Sequence, residues 1–303
     1  MAYQSKKYLY TVGTAVYNEE NNIKKFITSV ISQKTSPNFI LKEIIIVASG
    51  CTDNTIPIVE NLMRKYKIIK LISQKNREGK ASAVNILLKK INTKLIILQS
   101  ADTLPGKDCY KKVLVELSKP HVGMVGARIV PMDDEDTFCG YSNIFRWKLH
   151  HLINIKYPER PKVGELVAFK KLFSRIPPKT AADEASIEPL IKLQDYQVRY
   201  VPDAIVFNMG PSNLRELLSR RRSIYAGHYL EKVNYGYEVI TFSTFTVIPV
   251  FLSAIPGRPK ELYYALLSAF VELTARIFGY LDIKYKIRDQ SIWKIAKTTK
   301  KLN

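Results

Sequence analysis

EIIIVASGCTDNT, residues 43–55, decides the fold class of this chain. Ile44–Val47 is a β-branched run without polar alternation, which predicts a strand buried on both faces of a sheet. The polar turn that follows leads into an amphipathic helix predicted over Thr55–Tyr66. A strand, a loop and a helix in this order are the repeating unit of a parallel α/β sheet.

The same alternation extends on both sides of this stretch. The other predicted strands are Tyr8–Thr14, Lys70–Ser73, Leu95–Gln99, Gly123–Val130 and two short ones, Gln197–Val201 and Ala204–Phe207, around a Pro202–Asp203 turn. The other predicted helices are Glu19–Gln33, Ala81–Lys90 and Ala185–Leu193. Together they predict an α/β fold over roughly residues 1–210, with about six to eight strands in a mixed, mostly parallel sheet flanked by helices.

The composition is that of a folded and strongly basic protein. Of the 303 residues 46% are hydrophobic, which excludes a disordered chain, and 47 Lys+Arg against 27 Asp+Glu give a formal charge of +20. Cys51, Cys109 and Cys139 form no close pair, so we expect no disulfide framework and a reducing cytosol. The charge predicts an anionic partner, which could be nucleic acid, an acidic membrane surface or a phosphorylated substrate.

The last third of the chain is apolar and then basic. Val239–Gly257 has no charged residue over 19 positions, and an aromatic-rich apolar segment follows at Leu262–Leu281. Both segments fit an interfacial hairpin or a soluble helical subdomain, and two true membrane spans are a third interpretation. The basic stretch Lys284–Asn303, with Trp293, predicts a surface helix that lies on acidic lipid.

Polar loops follow the predicted strands at the edge where α/β sheets bind ligands. They are YNEE at Tyr17–Glu20, SGCTDNT at Ser49–Thr55, NREGK at Asn76–Lys80 and SADT at Ser100–Thr103. None contains a GxGxxG or Walker-type motif, so a dinucleotide or P-loop site has little support.

Further motifs occur beyond these loops: GKASAVN at Gly79–Asn85, GELVAF at Gly164–Phe169, and the pair Asp183–Glu184 followed by YQVRYVPDA at Tyr196–Ala204. In this order the segments resemble the family 2 glycosyltransferases over about the first 230 residues. The resemblance implies a Rossmann-like, A-type nucleotide-sugar-binding fold and transfer with inversion at the anomeric carbon. It also implies a catalytic domain over 1–230, which leaves 231–303 as a helical region for which membrane association is one interpretation.

The resemblance implies a divalent metal, Mg²⁺ or Mn²⁺, that neutralises the leaving diphosphate. The family's Asp-x-Asp reads Ser100-Ala101-Asp102 here, so Ser100 stands in the place of the first acid and Asp102 remains as the metal ligand. One carboxylate can suffice, because Mg²⁺ often binds through one or two carboxylates together with substrate phosphates. The alternative is that Asp102 only caps the following turn.

Donor contacts are implied for Tyr17, Glu19, Ser49 and Lys80. Ala48-Ser49 stands where two aspartates are usual in the family, which leaves base recognition open. Glu19 could instead favour a helix dipole, and Lys80 could be a solvated surface residue. Asp53 fits an N-cap or turn role as well as a ligand contact.

The acidic pair Asp183 and Glu184 is the candidate general base that removes the proton of the acceptor hydroxyl. In the family the second acid of this pair is generally the base, which by position is Glu184. Both acids precede a predicted helix, so the alternative is that they only favour its dipole.

Arg220 and Arg221, with Arg222 beside them, fall where many members carry Gln-x-x-Arg-Trp, although the match is loose. They are either a basic lid on the diphosphate or an exposed helix face.

Trp147, His150 and His151 could line the acceptor site, although packing is the more common role at helical spacing. His150 and His151 are adjacent and should point to different faces, which argues against a zinc pair. His228 is either an active-site neighbour or a core histidine.

The sequence thus predicts a metal-dependent glycosyltransferase with a nucleotide-sugar donor. Its expected acceptor is a lipid-linked or glycan hydroxyl, and its expected place is the cytoplasmic face of the cell membrane. A nucleic-acid partner is not expected, because no nucleic-acid motif is present. The alternative is a catalytically inactive nucleotide-sugar-binding or scaffold protein of the same fold, which the missing first acid favours.

Overall fold

The computed structural model describes residues 7–178, 183–255, 257–288 and 296–300. It contains the predicted mixed, mostly parallel sheet, here of eight strands in the order β3-β2-β1-β4-β7-β6-β8-β5. The strands are β1 Tyr8–Val16, β2 Phe39–Ser49, β3 Ile69–Gln74, β4 Leu95–Gln99, β5 Thr103–Pro105, β6 Val122–Pro131, β7 Leu166–Lys170 and β8 Gln197–Asn208. Strands β3, β2, β1 and β4 are parallel, and β7 lies antiparallel between β4 and β6.

Helices cover both faces of the sheet and continue beyond it. They are α1 Ile23–Ile31, α2 Thr55–Lys65, α3 Lys80–Lys90, α4 Cys109–Leu117, α5 Phe138–Lys156, α6 Asp183–Lys192, α7 Leu214–Tyr235, α8 Thr244–Ala254 and α9 Pro259–Lys284.

The two faces of the sheet bury two separate cores, because successive residues of a strand point to opposite sides. Ile44 and Ile46 of β2 face α1, α2 and α4, whereas Ile45 and Val47 face α3 and α6. This double burial explains the uninterrupted apolar run in β2 and holds the carboxyl ends of the parallel strands at one edge.

The C-terminal helices α8 and α9 pack on α5 and α7, where Phe145 of α5 meets Phe251 of α8 edge to face. Arg222 of α7 forms a bidentate ion pair with Asp282 near the end of α9, and Asp282 is almost fully buried. Within the described ranges, no helix has the length and apolar character needed to cross a membrane. The division into two domains stays a prediction, since α7 runs through the proposed boundary at 230.

Several elements differ from the sequence prediction. The two short strands near Pro202 are one strand, β8, in which a bulge between Val201 and Ile205 keeps the pairing with β6 on both sides. Helix α1 begins at Ile23, because the Glu19 carbonyl already accepts the Asn22 and Ile23 N–H groups in a tight turn.

The predicted basic surface helix over Lys284–Asn303 is also wrong where the structure describes it. Helix α9 ends at Lys284, and Lys297–Thr299 is a 3₁₀ turn. Trp293 lies outside the described residues.

Candidate active site

A cleft of about 320 Å³ opens at the carboxyl edge of the parallel strands. The loops after β1, β2, β3 and β4 form one side, and α5, α6 and α7 form the other. Of the residues predicted to act in catalysis, donor binding or metal binding, all but one line this cleft: Tyr17, Glu19, Ser49, Lys80, Ser100, Asp102, Glu184, Arg220 and Arg221. The exception is Asp183, whose backbone begins α6 and whose side chain is outside the described part. A topology that ends parallel strands at one edge thus gathers side chains that are far apart in sequence.

Hydrogen bonds between loops hold the floor of the cleft in place. The Asp53 carboxylate accepts from the Glu20 N–H (3.1 Å) and from the N–H and hydroxyl of Thr55 (3.0 and 2.6 Å). Gly50 has a φ of +66°, and a Cβ there would lie 2.5 Å from the Arg77 nitrogen. Asp53 therefore connects the loops after β1 and β2, which is the turn role predicted as one of its two alternatives. Only glycine at position 50 lets the loop after β3, which carries Arg77, approach the loop after β2 this closely.

Glu19 is a buried acid in the cleft, with 6% of its surface exposed. The Glu19 carboxylate accepts a hydrogen bond from the Asn22 side chain (2.9 Å), and the Glu19 backbone N–H donates to the Thr55 hydroxyl (2.7 Å). Burial, followed by the charge of Asp102, raises the pKa of Glu19 to about 7. Glu19 is therefore not an exposed acid at the N-terminus of α1, which was the alternative to a role in the cleft.

The ammonium group of Lys300 reaches Glu19 from the other end of the chain. Lys300 Nζ contacts the Glu19 carboxylate and donates to the Tyr17 carbonyl (3.2 Å). The segment is anchored by Thr298, whose hydroxyl donates to Glu216 (2.6 Å) and accepts from the Ser212 N–H (3.1 Å). Lys300 was predicted to face lipid as part of the basic C-terminal stretch. That prediction is wrong, because its side chain lines the cleft.

Asp102 fits a divalent metal through the chemistry of its environment. Its carboxylate makes no hydrogen bond or ion pair to any residue that the structure describes, so a capping role has no support. The described residues contain no cluster of three His, Cys, Asp or Glu that would hold a metal unaided. One carboxylate without a protein partner in the described residues suits a metal that takes its remaining oxygens from substrate and water.

Glu184 and Lys80 face each other across the cleft, with 3.5 Å between Lys80 Nζ and Glu184 Oε1. Lys80 is the first residue of α3 and Glu184 the second of α6, so both project from helix N-termini. The helix dipole favours ionised Glu184, and the lysine offers a cation to an anionic ligand.

Arg220 is held by Glu165, a residue of the GELVAF motif for which no separate role was predicted. The Arg220 guanidinium lies 3.1 Å from the Glu165 carboxylate. Glu165 has a left-handed φ of 59°, and its carbonyl accepts the Ser100 N–H (2.9 Å). Burial raises the pKa of Glu165 despite the arginine. Arg222, in contrast, does not line the cleft.

A second group of cationic side chains, which sequence reasoning largely missed, lines the α5 side. Arg146 lies over the Trp147 ring (4.7 Å), and Lys162 Nζ is 2.6 Å from His228 Nε2. Burial lowers the pKa of Arg146 to about 9 and that of Lys162 to about 8. His150 lies in the cleft too, whereas its neighbour His151 bonds Tyr200 elsewhere (2.9 Å), as the spacing predicted.

The mixed, mostly parallel sheet flanked by helices is that of the A-type glycosyltransferase fold. The chain belongs to glycosyl transferase family 2, whose family model matches residues 11–177. It is a glycosyltransferase, as the sequence motifs predicted.

Similar proteins support this assignment. Poly-beta-1,6-N-acetyl-D-glucosamine synthase of Staphylococcus epidermidis is 22% identical over an alignment of 286 positions, which covers 89% of this chain and 67% of that protein. An uncharacterized glycosyltransferase of Haemophilus influenzae is 32% identical over 133 residues, which are 44% of this chain and 39% of that protein. Among solved structures, mannosyltransferase PcManGT from Pyrobaculum calidifontis, in complex with GDP-Man and Mn²⁺, matches with a TM-score of 0.60 at 20% identity, covering 94% of this chain and 82% of that one.

Proposed function

We propose that the protein transfers a sugar, with inversion, from a nucleotide-sugar donor to a hydroxyl of a lipid-linked or glycan acceptor. The observation that carries the proposal is the single cleft that holds Asp102, Lys80 and Glu184 together. A diphosphate-binding side and a carboxylate base in one cavity are what displacement at an anomeric carbon requires.

The residues of the cleft divide this work between them. Lys80 and Arg220 attract the anionic diphosphate, and Tyr17, Glu19 and Ser49 border the nucleoside. Glu184 accepts the proton of the acceptor hydroxyl as the new bond forms, with Asp183 as the alternative base. Asp102 and the substrate phosphates would hold Mg²⁺ or Mn²⁺, which supplies positive charge to the leaving group.

The exposed surface of the C-terminal helices supports a location of the protein at the inner face of the cell membrane. Helices α8 and α9 expose large apolar side chains, among them Phe245 (92% exposed), Tyr263 (63%) and Phe270 (65%). Such a surface, together with the +20 charge, supports contact with an acidic bilayer. A role in synthesis of a surface glycan is in keeping with the named Staphylococcus relative.

The test is release of nucleoside diphosphate from a panel of nucleotide sugars, including GDP-Man, with Mn²⁺ or Mg²⁺ and candidate acceptors. Glu184→Gln should lower kcat by about 10²–10⁴-fold, the usual contribution of a general base. Asp102→Asn should raise the metal concentration needed for half-maximal rate. Glu116→Gln and Asp108→Asn on and beside α4 are matched controls that do not line the cleft and should keep the wild-type rate.

Absence of turnover with every donor would contradict the proposal. Donor-dependent thermal stabilisation without turnover would instead favour the inactive binding protein, since binding to the folded state raises stability whether or not chemistry follows.

A further inference from the structure

A second cavity, of about 380 Å³, lies beside the cleft. It is enclosed by α5, α7, α8 and α9. Most of its lining is apolar, including Phe145, Leu149, Val247 and Phe251. Its size and apolar character are those of a small-molecule site rather than of a packing defect.

Three side chains line both cavities: Arg146, His150 and Arg221. The Nε of Arg146 and the Nδ1 of His150 are buried and have no hydrogen-bond partner in the described part of the chain. Buried polar atoms normally have partners, and an unsatisfied charged donor is costly. The guanidinium of Arg146 lines both cavities, so its terminal N–H groups can reach a ligand acceptor atom there, and His150 can donate a further hydrogen bond from whichever ring nitrogen carries the proton.

The charge at this junction is positive. Arg221 is neutralised by Glu272, which accepts hydrogen bonds from it at 2.7 and 3.1 Å and also from Arg276. Arg146 forms no ion pair with a described residue; Arg221 and Arg220 repel its charge, whereas Glu272 and Glu165, which are already paired with those two arginines, attract it. An anion with several oxygens would relieve this repulsion and accept the free N–H, as a guanidinium does with phosphate.

The opposite side of the second cavity reaches the exposed apolar surface. Ile248 and Leu273 line the cavity and are themselves 51% and 57% exposed. They stand beside Phe245 and Phe270 on α8 and α9, where apolar atoms are left in contact with solvent. The cavity thus runs from a cationic end at the cleft to an apolar end at the surface.

We propose that the second cavity binds an amphiphilic phosphate, with its phosphate at Arg146 and His150 and its hydrocarbon chain between α5, α8 and α9. The inference deepens the proposed function, on which it rests, by assigning the acceptor's binding site. Charge complementarity at one end and apolar lining over the rest match this one ligand class.

The test is equilibrium binding to the full-length chain in the absence of donor. The probes are decyl phosphate below its micelle concentration, decanol and inorganic phosphate. Decyl phosphate should bind about tenfold or more tightly than either of the others, because only it uses both ends of the site. Arg146→Gln should remove most of this advantage without weakening decanol.

A matched pair of α9 substitutions locates the chain. Ala269 lines the cavity, so Ala269→Phe should weaken decyl phosphate by about tenfold, whereas Leu266→Phe, exposed on the same helix but outside the cavity, should not. Equal affinity for decanol or for inorganic phosphate would overturn the proposal, as would equal behaviour of the two α9 variants. Both α9 positions are exposed, which guards against misfolding. Because no donor is present, loss of binding here and loss of nucleoside diphosphate release are separate results.

Discussion

Replacing Lys300 by methionine should destabilise the protein mainly at pH values where Glu19 is ionised. Burial raises the pKa of Glu19 from an ordinary 4.5 to about 7, and contact with Lys300 opposes that rise. A pKa that is higher in the folded state means that stability is greatest below the unfolded value and is lost as pH rises through the folded value. At about 1.4 kcal/mol for each pH unit, ionising Glu19 already costs the folded wild type about 3 kcal/mol above pH 7.

Without Lys300 the pKa of Glu19 rises further, so the loss extends to higher pH. A hydrogen bond to a charged group contributes about 1.5–3 kcal/mol, and we expect a loss of that size at pH 9. At pH 5.5 Glu19 is neutral in both proteins. The difference in the free energy of unfolding should then fall to about 0.5 kcal/mol, which comes from the lost hydrogen bond to the Tyr17 carbonyl. Urea unfolding of both proteins, followed by circular dichroism at pH 5.5, 7 and 9, measures the loss at each pH.

Two controls isolate the pair. Lys297→Met removes an exposed lysine from the same segment and should show no pH-dependent loss. In a Glu19→Gln background, Lys300→Met should cost the same at every pH. If Lys300→Met in the otherwise wild-type chain also cost the same at pH 5.5 and pH 9, the assignment of a paired, buried Glu19 would be refuted.

Three other perturbations test the scaffold and its surface. Arg222→Ala removes both hydrogen bonds to the buried Asp282 carboxylate, which keeps Arg288 at 4.0 Å, and should lower the free energy of unfolding by about 3 kcal/mol, whereas Arg222→Met with Asp282→Leu should recover most of it; equal urea midpoints for both variants would contradict this. Gly50→Ala should destabilise by about 1–3 kcal/mol in the same assay, since its Cβ would clash with backbone; an unchanged midpoint would show that the loop yields. Phe245→Ser should weaken sedimentation with anionic vesicles without changing the urea midpoint, and unaltered sedimentation would exclude this side chain from a membrane contact.

The sequence predicted the parallel half of the sheet because each of its strands is a distinct apolar run. Ile44–Val47 lies within β2, and Leu95–Gln99 is β4 to the residue. Strand β7 was missed, since its five residues were noted as a motif but carry no turn signal of their own. It forms by antiparallel pairing with β4 and β6, which are distant in sequence.

Sequence reasoning located the candidate residues that a single loop or helix start brings to the cleft, and it missed those that distant segments of the chain bring there. Glu19, Asp102 and Glu184 follow strands or begin helices, so motif order was enough to place them. Lys300 enters the cleft from the far end of the chain, and nothing in a basic tail marks which lysine folds inward. Arg146 stands on a long helix whose polar and apolar residues do not separate cleanly, and only the folded arrangement shows that it lies half-buried between the two cavities.

The run Arg220–Arg222 has a consequence for α7 as a solid body. Neighbouring residues of a helix are about 100° apart around its axis, so the three guanidiniums span roughly 200° of the circumference. Each one holds a different carboxylate, Glu165, Glu272 or Asp282 in turn. Rotation of α7 about its own axis would therefore break ion pairs on several sides of the helix. The same ion pairs connect α9, through α7, to the loop that holds Glu165.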